Sequence, residues 1–135
     1  MSPVVPKCLA LILCDAVRRD RPGGDPSIVR AFDAFDVPAF PANTGRFSIW
    51  IQLIDGNGET AMKLFIEHVP PDRVEAELVA PVEFSVNFAN PNVVVDHVAV
   101  LQDGIELEKV GRYRLRLEAD GATILQRYFV ARHAS

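Results

Sequence analysis

The sequence predicts an all-β fold: a single-domain antiparallel β-sandwich of immunoglobulin-like, Greek-key type, with about eight or nine strands over residues 1–135. Three observations carry this. Short runs rich in Val, Ile, Leu and Phe recur between Pro, Gly, Asn and Asp. No stretch of useful length holds a helical apolar period. Residues Gly111–Val130 read as a hairpin, with alternating apolar and polar residues on either side of Asp120-Gly121. Asp-Gly suits a type I′ turn, whose two central residues both take positive φ.

The strands follow in order. Lys7–Asp15 is apolar on both faces, with Leu9, Leu11 and Leu13 on one and Cys8, Ala10, Ile12 and Cys14 on the other. Such a strand is expected to be central and covered twice, by the core and by a loop, helix or second subunit. Ser27–Asp36 follows a charged Gly/Pro loop at Arg18–Pro26, and Pro38, Pro41 and Asn43 mark a crossover between sheets. Arg46–Asp55 and Thr60–Val69 read as a hairpin about Gly56-Asn57-Gly58-Glu59, with Ile49, Ile51 and Leu53 opposite Ile66, Leu64 and Met62. That register sets Trp50 against Phe65 on an outer face. Arg73–Val79, Val82–Phe88 and Val94–Leu101 come next, then Arg112–Ala119 and Ala122–Ala131. In this last pair Tyr113, Leu115, Leu117, Ile124, Gln126, Tyr128 and Val130 are expected to face the core. Arg112, Arg114, Arg116 and Arg127 face out beside Leu125 and Phe129, with Arg114 opposite Arg127.

At 135 residues and 49% hydrophobic composition, the chain suits one self-stabilising domain. A net charge of −4 argues against a nucleic-acid partner. The apolar run Cys8–Cys14 is too short to span a membrane and lacks a basic leader, so it reads as a strand. Cys8 and Cys14 on one extended strand would stand roughly 20 Å apart, beyond disulfide reach. Free thiols fit a reducing cytoplasm.

Sites of chemistry are sparse. His68, His97 and His133 fall in separate regions and read as ordinary surface or strand-end residues. No metal, cofactor or catalytic set is predicted, and none of the hydrolase or phosphate-loop motifs occurs. Asp55-Gly56-Asn57-Gly58-Glu59 resembles half a calcium loop but lacks its length and final bidentate Glu, so a hairpin turn is expected. Asp15, Asp33 and Asp36, with Asp20, could converge, but turn capping or pairing with Arg18, Arg19 or Arg30 is the plainer expectation.

Leu13-Cys14-Asp15-Ala16-Val17, Ala34-Phe35-Asp36, Pro38-Ala39-Phe40-Pro41 and the closing Gly111–Gly121 segment together resemble a bacterial domain-of-unknown-function family. Where that family carries a Gly-Lys-Leu-Ser type segment, this chain has Gly23-Gly24-Asp25-Pro26-Ser27. The resemblance implies a cytoplasmic β-sandwich and brings no catalytic residues. The functional expectation is a non-enzymatic interaction or assembly module, self-associating or bound to a protein partner, with no membrane role. Its candidate surfaces are Trp50 and Phe65, and Arg112, Arg114, Arg116, Arg127 and Phe129. The alternative is a binding module for an anionic ligand or acidic peptide on the arginine face.

Overall fold

The structure, a computed structural model, describes residues 5–72 and 75–134. Arg73 and Val74, where one expected strand begins, lie outside them. The described chain is all-β, in eleven strands rather than nine. They are β1 (Lys7–Arg19), β2 (Pro26–Phe32), β3 (Ala34–Val37), β4 (Ala42–Asn43), β5 (Phe47–Ile54), β6 (Gly58–Val69), β7 (Glu77–Phe88), β8 (Val95–Leu101), β9 (Glu106–Leu107), β10 (Gly111–Ala119) and β11 (Ala122–His133). A four-stranded sheet runs β2-β1-β5-β8, a five-stranded sheet β3-β11-β10-β6-β7, and β4 pairs with β9. All pairings are antiparallel except β3 with β11.

Alternation decides which side chains face in. Leu11, Leu13, Ile49, Ile51 and Leu53 from one sheet join Met62, Leu64, Ile66, Leu115 and Leu117 from the other in one buried cluster. Aromatic rings line one end of it, with Phe35 at 5.2 Å from Phe47 and 5.7 Å from Phe129, and Phe129 at 5.3 Å from Tyr113.

Four expectations about pairing are corrected. First, β5 and β6 are not a hairpin. They belong to different sheets, and Asp55–Asn57 carries the chain from one to the other. Both apolar sets still point inward, because a crossing between sheets and a hairpin satisfy the same two-residue period. Trp50 and Phe65 therefore do not meet. They stand on the outer faces of opposite sheets.

Second, the β10–β11 register differs. Asp120 and Gly121 do take positive φ, 47° and 86°. A bulge follows, since Leu117 pairs with Leu125 but Glu118 with Thr123. The extra residue, Ile124, inverts the parity of β11. Phe129 and Ala131 are buried and Tyr128 and Val130 exposed. Arg114 lies opposite Tyr128, and Arg127 opposite Leu115. Third, a bulge between Cys8 and Ala10 turns Leu9 outward to 52% exposure and sets Cys8 against the core. Fourth, Ser27–Asp36 splits into β2 and β3 in different sheets, while the expected break before Val82 is absent. Pro81 is accommodated inside β7 because β7 is an outer strand, where one backbone N–H can be spared.

The outer face of β1 is covered in part by its own chain. Ala10, Gln52 and Asp96 stand in one row across the four-stranded sheet. Arg19 lies nine residues beyond Ala10, roughly 30 Å along a straight strand, yet its guanidinium pairs with Asp96. The β1–β2 arm must bend back over the outer face. The bend falls where Arg30 takes φ 50° and grips Asp15 with two hydrogen bonds of 2.7 Å. Trp50 Nε1 donates to the same Asp96 carboxylate at 3.1 Å, and Trp50 is half-buried. Cys14 is buried, Cys8 half-buried, and both are free.

Candidate functional site

The outer face of the five-stranded sheet follows from its registers. Tyr128, Arg114, Glu67 and Leu78 form one row across four strands. Gln126, Arg116, Phe65 and Pro81 form the next, and Val130, Arg112 and Val69 lie on the other side of the first. Glu67 holds the centre. Arg114 donates to Glu67 Oε1 from Nε at 3.1 Å and Nη2 at 3.0 Å, and Arg116 donates from Nε at 3.2 Å. Arg116 also pairs with Glu118 and stacks on Phe65, its guanidinium carbon 4.4 Å from the ring centre. Burial pulls the Glu67 carboxyl upward. The hydrogen bonds from Arg116 and Arg114, together with their charges, outweigh that and hold it below the usual carboxylate range.

The arginine row is thus interleaved with carboxylate, supplied by Glu67 of β6 and Glu118 of β10. Arg112 lies over Tyr128 at 5.3 Å and pairs with no carboxylate among the described residues. Arg127 has left the row. It projects on the other side of β11 and donates to the Leu11 carbonyl at 3.0 Å. Phe129 is a core residue, 2% exposed, not a surface one. Of the seven candidate surface residues, this sheet face brings together Phe65, Arg112, Arg114 and Arg116. It leaves Trp50 on the other sheet.

The aspartates do not converge. Asp15 and Asp36 border one polar cleft of about 260 Å³ with Arg30 and Arg46, but Asp15 is held by Arg30 and Asp36 by Arg132. Asp33 lies in a separate hollow beside Arg127. Among the described residues no group of three or more His, Cys, Asp or Glu could hold a metal ion. Asp55, where a hairpin turn was expected, takes φ 67° and leads the chain between sheets.

His68 is not a surface residue. It continues the inward series Met62, Leu64 and Ile66 and is 5% exposed. That shared parity was the available signal, because residues two apart on a strand face the same way. Its ring lies 4.9 Å from Tyr113, whose hydroxyl donates to the Lys109 carbonyl at 2.7 Å. Burial, with the negative charges of Glu108 and Glu77, raises the Tyr113 phenol. His68 Nδ1 is buried without a hydrogen-bond partner, 3.9 Å from Glu77 Oε2. The two residues share a cleft of about 230 Å³, floored by Tyr113 and rimmed by Glu106 and Glu108. His97, by contrast, is half-buried and stacked on Phe84 at 4.1 Å.

Two sheets sharing one core, a charged outer face and a small histidine cleft define an all-β protein. No helix among the described residues is long and apolar enough to cross a membrane. The chain belongs to DUF6941, a family of unknown function, whose model matches residues 9–132. No curated protein matches. Among solved structures, a β-glucosidase from Listeria innocua in complex with isofagomine aligns at TM-score 0.48 and 8% identity, over 93% of this chain and 16% of that one. A β-D-glucoside glucohydrolase from Trichoderma reesei aligns at 0.48 and 9%, over 97% and 19%. β-Glucosidase 3B from Thermotoga neapolitana, in complex with glycerol, aligns at 0.46 and 14%, over 80% and 18%. The chain spans less than a fifth of each of those proteins, and nothing about activity follows from likeness at this level.

Proposed function

We propose that this chain is a β-sandwich of the immunoglobulin-like, Greek-key type that works by association rather than catalysis, and that its partner is a second copy of itself. The supporting observation is the make-up of one face. Tyr128 at 47%, Leu78 at 58% and Val130 at 37% exposure frame an Arg114–Glu67–Arg116 cluster whose geometry is already set. Both charge signs lie on the same patch, which suits a two-fold contact in which each copy presents the same residues to the other. Prefixed arginines and rigid aromatic rings lose little conformational freedom on docking. Four strands and three rows cover roughly 400 Å² of flat sheet per copy, below the size of a stable specific interface and fitting a weak or transient dimer.

An anionic ligand is the second reading, and Arg112 is what favours it. Glu67 and Glu118 weigh against it, because any anion near Arg114 or Arg116 would meet those carboxylates. The free thiols fit a cytoplasmic setting.

Sedimentation velocity tests the proposal. The wild-type chain is expected to show a concentration-dependent dimer, and the exposed substitutions Tyr128→Lys and Leu78→Lys together should leave a folded monomer. A wild-type chain that stays monomeric up to about 100 µM would overturn it.

A further inference from the structure

We infer that the cleft between β6, β7 and β10 is a site for a small primary amine, bound as its ammonium ion. Three features of the cleft lead there. The first is His68 Nδ1, a buried polar atom with no hydrogen-bond partner, on a side chain 7% exposed. An orphaned buried nitrogen is costly unless a hydrogen-bonding group occupies the space beside it. In the tautomer whose proton sits on Nε2, Nδ1 is an acceptor and calls for a donor.

The second feature is the rim. Glu106 and Glu108 are exposed, border the cleft and have no ion-pair partner among the described residues. Lys109, the one Lys or Arg lining it among the described residues, is engaged with Glu77 at 3.7 Å. An entering group with a positive charge gains from this rim, and a carboxylate or phosphate is repelled. The third is the wall. Val79 supplies apolar surface beside the polar floor, so a short alkyl chain has a place to lie. The volume of about 230 Å³ suits roughly ten non-hydrogen atoms or fewer and excludes drug-sized molecules. An alkylammonium matches all three: its N–H donates to His68 Nδ1, its charge faces the rim carboxylates, and its methylenes cover Val79. An inorganic cation would leave the apolar wall unused.

The test uses n-butylammonium as the probe, with 1-butanol and butyrate as neutral and anionic controls of the same length. The His68 ring nitrogens of the intact ¹⁵N-labelled chain are followed by long-range ¹H–¹⁵N NMR at constant pH. Saturable shifts at millimolar butylammonium are expected, about what a five-atom ligand can reach, and none with either control. Because His68→Phe could unfold the chain, the rim variant Glu106→Gln/Glu108→Gln supplies the second arm. Both sites are exposed, and butylammonium should bind it at least tenfold more weakly. The inference is overturned if no saturation appears up to roughly 50 mM, if all three probes act alike, or if the rim variant binds as well as the wild type. A monomeric wild-type chain would leave this result untouched, so failure here and failure of the dimer are separable.

Discussion

Replacing Glu67 by Gln removes the charge that holds two arginines while keeping nearly the same shape. Glu67 is 8% exposed and receives three hydrogen bonds of 3.0–3.2 Å from Arg114 and Arg116. Hydrogen bonds to a charged group contribute about 1.5–3 kcal/mol, and breaking one side of a fully buried pair costs about 3–5 kcal/mol. Both arginine side chains remain 22% exposed, so water recovers part of the loss. The expected net cost is about 2 kcal/mol. Unfolding entropy for 135 residues is about 0.28 kcal/mol/K, so the melting temperature should fall by about 7 °C at neutral pH. The sign of the pH dependence follows from the depressed Glu67 carboxyl. Its stabilisation is fully present above the ordinary carboxylate pKa and fades as pH falls through the lower folded value. Differential scanning calorimetry from pH 7 to pH 3 should therefore show the gap between wild type and E67Q closing in acid. Glu83→Gln is the control. Its 3.7 Å contact with Lys63 is more than half exposed, and its effect should stay within about 0.5 kcal/mol. An E67Q protein melting within about 2 °C of wild type at pH 7, or a gap that ignores pH, would refute the reasoning.

Two further outcomes follow from packing and protonation. A Cβ on Gly56 would come within 2.3 Å of the ring of Phe88, which is 1% exposed, so Gly56→Ala should cost about 1–3 kcal/mol by overpacking. Gly23 has open space but φ +74°, and Gly23→Ala should cost about 1 kcal/mol. Urea unfolding in which either substitution left stability unchanged would contradict this account. Burial of His97 lowers its pKa, against a smaller opposing pull from Asp96, so the fold favours the neutral ring. The associated stability is full above the unfolded histidine value of about 6.5 and declines as pH falls from there through the folded value. The urea midpoint should drop between pH 6.5 and 5, and His97→Asn should flatten that decline; a wild-type midpoint unchanged over this range would count against it.

Which residues face inward was legible wherever the alternation ran unbroken. Ile49, Ile51, Met62 and Leu64 are inside as their spacing requires, and Tyr113, Leu115 and Leu117 likewise. Which strands neighbour one another was not legible, because a turn within a sheet and a crossing between sheets impose the same parity on Ile51 and Leu64. Bulges are the second blind spot. Ile124 has nothing in its chemistry that marks it as the supernumerary residue, yet it decides whether Phe129 or Tyr128 is buried. The arginines at 112, 114 and 116 were visible as a row. The neutralisation of Arg114 and Arg116 by Glu67 needed the knowledge that β6 lies beside β10, a contact between residues some fifty positions apart in the chain. The His68 cleft was hidden for the same reason, since its walls come from three separated segments.

Pro81, in the middle of β7, has a consequence for how copies of this chain can gather. A foreign backbone laid along that margin of the five-stranded layer would find a rung missing at the proline. The opposite margin, β3, is only four residues long, and β2 begins at Pro26 and kinks at Arg30. Such borders are poor templates for adding strand after strand. Contact confined to a broad side instead of a border favours assemblies that close after a few members and do not lengthen into fibres.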